Sequence, residues 1–155
     1  MASSLYLDRY RVYTKPEFIK VYQRLKGLVF NEYHNLFSLC VFLGYKNKKK
    51  AKKVGKKELF WSQTFSPHEL AAFYALLIKE SENGNYELLK DGEKALEWLQ
   101  EYADGGMEIL LESDILKKFV VKRDDGVDVD ATTRDNLQKQ MMYYVFSEYL
   151  AQVKQ

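Results

Sequence analysis

Residues 31–44 read NEYHNLFSLCVFLG, and this stretch decides the fold. Its spacing predicts a helix that is apolar on most sides, through Tyr33, Leu36, Phe37, Leu39, Cys40, Phe42 and Leu43. Helices that are apolar nearly all round usually lie at the centre of a protein. Gly44 suits a C-terminal stop, so we expect a central helix that ends at this glycine.

Helical periodicity recurs on both sides of this stretch. Residues 15–30 predict an amphipathic helix with Thr14 as its N-cap, and residues 133–153 predict a long helix at the end of the chain. The tetrad SPHE at 66–69 is a capping box with proline at the first helical position. It predicts a third flanking helix that ends near Ser81.

The remaining stretches are less regular. Residues 86–111 keep the helical period, but Gly105 and Gly106 are expected to break it into two shorter helices. Residues 117–134 contain a β-favouring run followed by the turn sequence DDG, which predicts a small hairpin or a mobile loop. With five to six helices and almost no strand, the expected class is all-α, a single compact bundle that forms one domain over residues 1–155.

The composition of the chain limits the classes of protein to which it can belong. The chain has 155 residues, of which 46% are hydrophobic and 15% aromatic, far from the composition of disordered proteins. Charged residues interrupt the first twenty positions, and no apolar run reaches the ~18 residues of a membrane span. The single cysteine, Cys40, has no internal disulfide partner, which fits a reducing compartment. We expect a cytoplasmic protein without a membrane contact.

A lysine-rich loop follows the predicted central helix directly. Residues 46–57, called here the lysine segment, read KNKKKAKKVGKK and hold eight of the chain's 24 cationic side chains: Lys46, Lys48, Lys49, Lys50, Lys52, Lys53, Lys56 and Lys57. The whole chain carries a net charge of +2, and the 16 cations outside the segment face 22 acids, a net charge of −6. Clustered lysines attract polyanions through phosphate neutralisation and counterion release.

The lysine segment therefore predicts binding to the DNA or RNA backbone. Tyr45, immediately before it, is a candidate to stack on a base or sugar. The segment contains no arginine, the residue chiefly used to read bases, so we expect sequence-tolerant and salt-sensitive binding. A flexible solvated loop without a specific ligand is the alternative.

Acidic residues dominate the stretch 79–114, where eleven of them face three lysines. Complementary charge steers encounters, so this stretch predicts a docking surface for a basic partner or for the lysine segment of a second copy. The candidate contacts are Glu97, Glu101, Asp104 and Glu108. The alternative is a solvated helix face, which charge blocks usually are.

No catalytic constellation stands out. His34 and His68 are the only histidines, and neither has a partner at zinc-ligand spacing. A calcium loop fails in register, because Val121 and Arg123 would occupy the first and third ligand positions. No serine, cysteine or lysine has a histidine and an acid at a suggestive spacing. We expect no cofactor, no metal and no enzymatic activity.

Two stretches carry a family resemblance. Residues 101–110 read EYADGGMEIL, and residues 39–46 read LCVFLGYK directly before the basic loop. With FNEY at 30–33, they make roughly residues 30–116 resemble the small proteins associated with the Dnd system of bacterial DNA phosphorothioation and linked restriction. The resemblance implies an accessory protein that works on DNA beside larger ATPase or nuclease subunits, with no catalytic residues to carry over. The chain departs from it in the N-terminal helix, in residues 117–134 and in the C-terminal helix.

Three functional hypotheses follow. The first is a non-enzymatic accessory or adaptor protein of a bacterial DNA-modification or antiphage defence system, which contacts DNA through the lysine segment and a partner through the acidic face. The second is a pure protein-interaction or homo-oligomerising subunit that docks through the C-terminal helix, by Tyr143, Tyr144, Phe146 and Tyr149. The third is a small Mg²⁺-dependent nuclease that uses Asp124, Asp125, Asp128 and Asp130.

Overall fold

The computed structural model describes residues 7–51, 57–114, 116–130, 132 and 134–153. The helices are α1 (Ile19–Leu25), α2 (Tyr33–Lys46), α3 (Pro67–Glu82), α4 (Glu87–Lys90), α5 (Gly92–Glu112) and α6 (Arg134–Val153). The strands are β1 (Arg11–Thr14), β2 (Lys57–Trp61), β3 (Val120–Arg123) and β4 (Gly126–Val129), which form two antiparallel two-stranded sheets. The protein is therefore largely helical, as predicted, but the expectation of almost no strand missed the β1–β2 sheet.

The helices α2 and α5 pack along each other at their glycines. A Cβ atom on Gly44 would collide with the Tyr102 carbonyl, and one on Gly106 would collide with the Cys40 carbonyl. The two backbones therefore touch, which only glycine permits. Two predictions are wrong here for the same reason: α2 continues through Gly44 to Lys46, and α5 runs unbroken through Gly105 and Gly106.

One connected hydrophobic core draws on all six helices. Its fully or nearly fully buried members include Tyr22 from α1, Phe37 and Cys40 from α2, Phe73 and Leu77 from α3, Leu88 from α4, Leu99 and Met107 from α5, and Leu137 and Met141 from α6. The predicted capping box at the start of α3 is confirmed. Ser66 Oγ accepts from the Glu69 N–H at 3.1 Å, and the Glu69 carboxylate accepts from the Ser66 N–H at 2.7 Å.

The β1–β2 sheet is tied to α5 by side chains. The Tyr13 N–H donates to Gln100 Oε1 at 2.8 Å, and the Thr14 hydroxyl donates to Asp104 Oδ1 at 2.7 Å. Thr14 is the last residue of β1. The prediction that Thr14 caps a helix is therefore wrong. The predicted helix over residues 15–30 shortens to a 3-10 turn followed by α1.

Of the two alternatives predicted for residues 117–134, a small hairpin or a mobile loop, the structure has the hairpin. Strands β3 and β4 pair in register from Val120 opposite Val129 to Arg123 opposite Gly126. Gly126 follows the turn with a φ of 142°, a conformation that favours glycine. The hairpin packs on α1 through β4.

No helix in the described part of the chain is both long and apolar enough to cross a membrane.

Candidate nucleic-acid interface

The first half of the lysine segment is fastened to α5. The Lys49 N–H donates to the Gly44 carbonyl at 2.9 Å, and the N–H of the buried Ala51 donates to the Glu101 carbonyl at 3.0 Å. Lys48 reverses the chain with a φ of 54°. A Cβ atom on Gly105 would collide with the Lys49 carbonyl, so this glycine lets the segment lie against the helix. Residues 46–51 therefore have a fixed backbone path.

The far end of the segment is fastened as well. Lys57 is the first residue of β2 and pairs with Thr14 of β1. Leu59 of the same strand is buried in the core. Both flanks of the lysine segment are thus fixed, whereas Lys52, Lys53 and Lys56 lie outside the described residues.

Two lysines of the segment are engaged within the chain. Lys46 Nζ lies 3.0 Å from Glu148 Oε2, and Lys49 Nζ lies 3.2 Å from Glu108 Oε2. Lys48 and Lys57 are exposed and have no ion pair with any residue that the structure describes. Of these four lysines, two therefore form ion pairs within the protein, and two leave their ammonium groups to solvent.

Tyr45 is not available as a base-stacking platform. Its half-buried ring packs edge-on against Trp98 and Tyr102, with centroids 5.8 and 5.4 Å away. Burial raises the pKa of Tyr45, and the nearby charge of Glu80 adds to the shift. Lys50 lies beside the same cluster, with Nζ 5.5 Å from the Tyr102 ring centroid. The predicted stacking role is corrected because the ring serves the packing of α2 on α5.

The predicted acidic docking surface is partly internal. Asp104 is only 6% exposed and accepts the Thr14 hydroxyl, so its assignment as a partner contact is wrong. The Glu108 carboxylate forms ion pairs with both Lys49 and Lys15, and Lys15 Nζ lies 3.8 Å from Glu108 Oε1. Glu97 and Glu101 are half-buried, and the Glu101 carbonyl holds the lysine segment. Of these acids, Glu108 contacts the lysine segment through its carboxylate, whereas Glu101 does so through its backbone.

The four aspartates near the hairpin do not converge on one point. Asp128 is buried against Arg24, Asp125 pairs with Lys20 at 2.8 Å, and Asp130 accepts from the Thr132 N–H at 2.9 Å. Within the described ranges, no cluster of three or more histidine, cysteine or acidic side chains is arranged to hold a metal ion. The candidate Mg²⁺ cluster is thus not assembled by these side chains.

The outward face of α6 is apolar in the middle of the helix, after Lys139. Met142, Tyr143 and Phe146 are 67%, 65% and 61% exposed, which agrees with the predicted exposure of Tyr143 and Phe146. Tyr144 points the other way and is buried, so its assignment to that face is wrong. Burial, followed by the charge of Glu148, raises the pKa of Tyr144 to about 12. The side chain of Tyr149 lies outside the described residues.

Sequence reasoning missed a serine, histidine and glutamate that meet between α2 and α3. His34 Nδ1 lies 2.8 Å from Glu69 Oε1, and the Ser38 hydroxyl donates to Glu69 Oε2 at 2.7 Å. A serine nucleophile needs its hydroxyl on the histidine, whereas here both groups contact the glutamate. The arrangement therefore joins the starts of the two helices. The sequence indicated this arrangement through the capping glutamate and through His34 and Ser38, which lie one helical turn apart.

Sequence reasoning also missed the partners of Asp128. Arg24 Nε and Nη2 donate to its two carboxylate oxygens at 3.3 and 3.1 Å, and Arg123 Nε lies 3.4 Å from Oδ2. Burial acts to raise the pKa of Asp128. The hydrogen bonds from Arg24 and from the Val129 N–H, with the charges of both arginines, outweigh burial and hold that pKa below its usual range. Only the basic pair Lys122-Arg123 beside the turn hinted at this site.

Comparison with protein-family models, with curated proteins and with solved structures found no match. The resemblance to the small proteins associated with the Dnd system therefore stays a prediction.

Proposed function

We propose that this protein is a non-enzymatic accessory or adaptor protein that binds the nucleic-acid backbone through the lysine segment. The observation that supports this proposal is the fixed backbone of residues 46–51 on α5, with Lys48 and Lys50 exposed at its surface. The resemblance to proteins of DNA phosphorothioation loci supplies the context, a bacterial DNA-modification or antiphage defence system. Larger ATPase or nuclease subunits of the same system are the proposed partners.

A fixed backbone favours binding because less chain has to be ordered when the ligand arrives. Lysine ammonium groups neutralise phosphates as point charges and do not read bases, so the expected complex is tolerant of sequence. The ion pairs of Lys46 and Lys49 do not block this role, since both pairs are partly exposed. Partly exposed pairs contribute only ~0–1 kcal/mol, and a phosphate can compete for the ammonium groups.

The decisive experiment is a titration of a short DNA duplex at several salt concentrations. Replacing Lys48, Lys50 and Lys57 by glutamine should weaken binding and reduce the slope of log K against log salt by about 3, close to 0.9 for each lost phosphate contact. The matched control replaces Lys79, Lys90 and Lys139, three exposed lysines elsewhere, and should leave the slope nearly unchanged. A wild-type protein that does not bind the duplex, or equal slopes for both triple variants, would contradict the proposal.

The exposed face of α6 supports a second candidate, a protein-interaction or homo-oligomerising subunit without DNA contact. Contiguous apolar exposure of the kind seen at Met142, Tyr143 and Phe146 is a common mark of interaction sites. The same lysine variants separate the two candidates. Replacing all eight lysines of the segment by glutamine abolishes salt-dependent DNA binding under the first, whereas under the second it leaves the association of the protein with its partner, or with itself, unchanged.

A further inference from the structure

A cationic groove lies between α1 and the β3–β4 hairpin. Lys20, Gln23, Arg24, Arg123 and Asp128 line it, and its volume is about 490 Å³. We call it the arginine groove. Asp128 is 3% exposed at its floor and contacts the guanidinium groups of both arginines.

The two arginines have donors left for a ligand. A guanidinium carries five N–H donors; Asp128 accepts from two of those on Arg24 and forms an ion pair, without a hydrogen bond, with Arg123 Nε at 3.4 Å. The side chains are 50% and 51% exposed, so the remaining donors are accessible to solvent. One carboxylate between two guanidinium groups leaves a net positive charge. Arginines held in place in this way match the planar, bidentate contacts that phosphate groups accept.

Docking of the hairpin alone does not require both arginines. Arg24 already forms the two-pronged contact with Asp128 that ties β4 to α1. Arg123 adds a single, longer contact of 3.4 Å from the exposed end of β3. Of the two arginines, Arg123 therefore has the smaller structural role, and its side chain is as exposed as that of Arg24.

Lys15 and Glu108 lie between the arginine groove and the lysine segment. Lys49 and Lys15 both pair with Glu108, at 3.2 and 3.8 Å. Lys15 lines a neighbouring groove of about 550 Å³ together with Arg123, and Arg123 also lines the arginine groove beside Arg24. Glu17, Asp124 and Asp125 line the same neighbouring groove, and the Lys15 side chain is only 12% exposed, so the surface between the two cationic sites carries mixed charge.

We propose that the arginine groove is a second phosphate-binding site, which takes a backbone phosphate of the same nucleic acid that the lysine segment binds. This inference rests on the proposed function. The lysine segment supplies diffuse attraction, and the paired guanidinium groups supply a contact of defined geometry. Lys20, whose ammonium group pairs with the exposed Asp125, lies at the same groove and is able to exchange that partner for a phosphate.

The test uses the same duplex titration with the variant Arg123→Gln, which leaves the contact between Arg24 and Asp128 intact. We expect roughly a three- to tenfold weaker affinity at low salt and a salt slope smaller by about 1. Arg123→Lys keeps the positive charge but cannot make the bidentate contact of a guanidinium. It should therefore retain the wild-type slope and recover only part of the affinity. The control Lys90→Gln removes the same charge from α4 and should bind like the wild type.

The outcomes separate the two proposals. If the triple variant of Lys48, Lys50 and Lys57 loses affinity while Arg123→Gln binds like the wild type, the arginine groove is overturned and the proposed function stands. A lower urea midpoint for Arg123→Gln with an unchanged salt slope also overturns the groove, because it assigns Arg123 to the stability of the hairpin alone. If the wild type does not bind the duplex, both proposals fall together.

Discussion

The α2–α5 helix pair and the β3–β4 hairpin each present part of the proposed nucleic-acid surface, and different forces hold them in place. The helix pair is held by contact between backbones across Gly44 and Gly106, where no side-chain atom fits. The hairpin buries Val129 in the core and adds a charged contact, in which the buried carboxylate of Asp128 accepts from the half-exposed Arg24 of α1. The first contact depends on volume, and the second depends on charge as well as on apolar packing.

The difference matters for the surface that each region presents. Gly105 belongs to the α2–α5 pair and leaves room for the backbone of Lys49, so close packing fixes the start of the lysine segment. In the arginine groove, the same side chains that hold the hairpin also face the ligand. A larger side chain at a glycine of the α2–α5 pair should therefore disturb the lysine segment, whereas a change of pH should disturb the arginine groove.

The largest expected effect comes from adding one carbon atom to the helix pair. Gly106→Ala would place its Cβ atom against the Cys40 carbonyl, a backbone group that cannot move aside. Alanine is the better helix former by about 1 kcal/mol, so propensity alone predicts stabilisation. We expect the clash to dominate and the free energy of unfolding to fall by roughly 3 kcal/mol, measured by urea denaturation.

Gly84→Ala is the matched control for this substitution. Gly84 has a φ of 106°, and nothing lies within 4 Å of the Cβ position. Its substitution is expected to cost only about 1 kcal/mol, the conformational penalty of an alanine at positive φ. Equal losses for the two variants would show that the α2–α5 contact is looser than described.

The next largest effect is the removal of charge below the hairpin. Asp128→Asn leaves two guanidinium groups without their carboxylate, and we expect a loss of about 2 kcal/mol at pH 7, less than for a fully buried pair because both arginines are half-exposed. The pKa of Asp128 is lowered in the folded protein, chiefly by Arg24 acting against burial. The stabilisation is thus complete above the unfolded-state value of about 3.9 and is lost as the pH falls through the folded value.

Urea midpoints of the wild type and of Asp128→Asn should therefore converge as the pH is lowered below about 4. Asp124→Asn, in the exposed turn, serves as the control and should follow the wild type at every pH. A constant difference between the wild type and Asp128→Asn across this range would mean that the carboxamide disturbs packing and that charge is not what holds the hairpin.

Local patterns were sufficient to predict most helices and the hairpin. The capping box at 66–69 placed the start of α3 at Pro67, and the DDG turn placed the loop between β3 and β4, because both signals are complete within a few residues. Sheet β1–β2 escaped prediction because its strands lie more than 40 positions apart and Arg11–Thr14 is only four residues long. A strand of four residues is too short for its alternation to stand out in the sequence.

The glycines show why the rest was misjudged. In isolation a glycine weakens a helix, so Gly44 was expected to end α2 and Gly105 and Gly106 to bend α5. Only the approach of a second backbone reveals that they are packing residues. The site was misjudged in the same way. Asp104 was counted as a surface charge, although Thr14, 90 positions away, buries it.

The smallest expected effect separates burial from proximity. The ion pair between Lys20 and Asp125 is shorter, at 2.8 Å, than the 3.1 Å contact between Arg24 and Asp128. The hydrogen bond from Lys20 also lowers the pKa of Asp125. Distance alone would therefore rank this pair as the stronger one. However, the Asp125 side chain is 65% exposed, where that of Asp128 is 5% exposed, and solvent screens an exposed pair almost completely. Asp125→Asn should leave the urea midpoint at pH 7 unchanged, and a loss as large as that of Asp128→Asn would show that the turn, and not the buried carboxylate, holds the hairpin on α1.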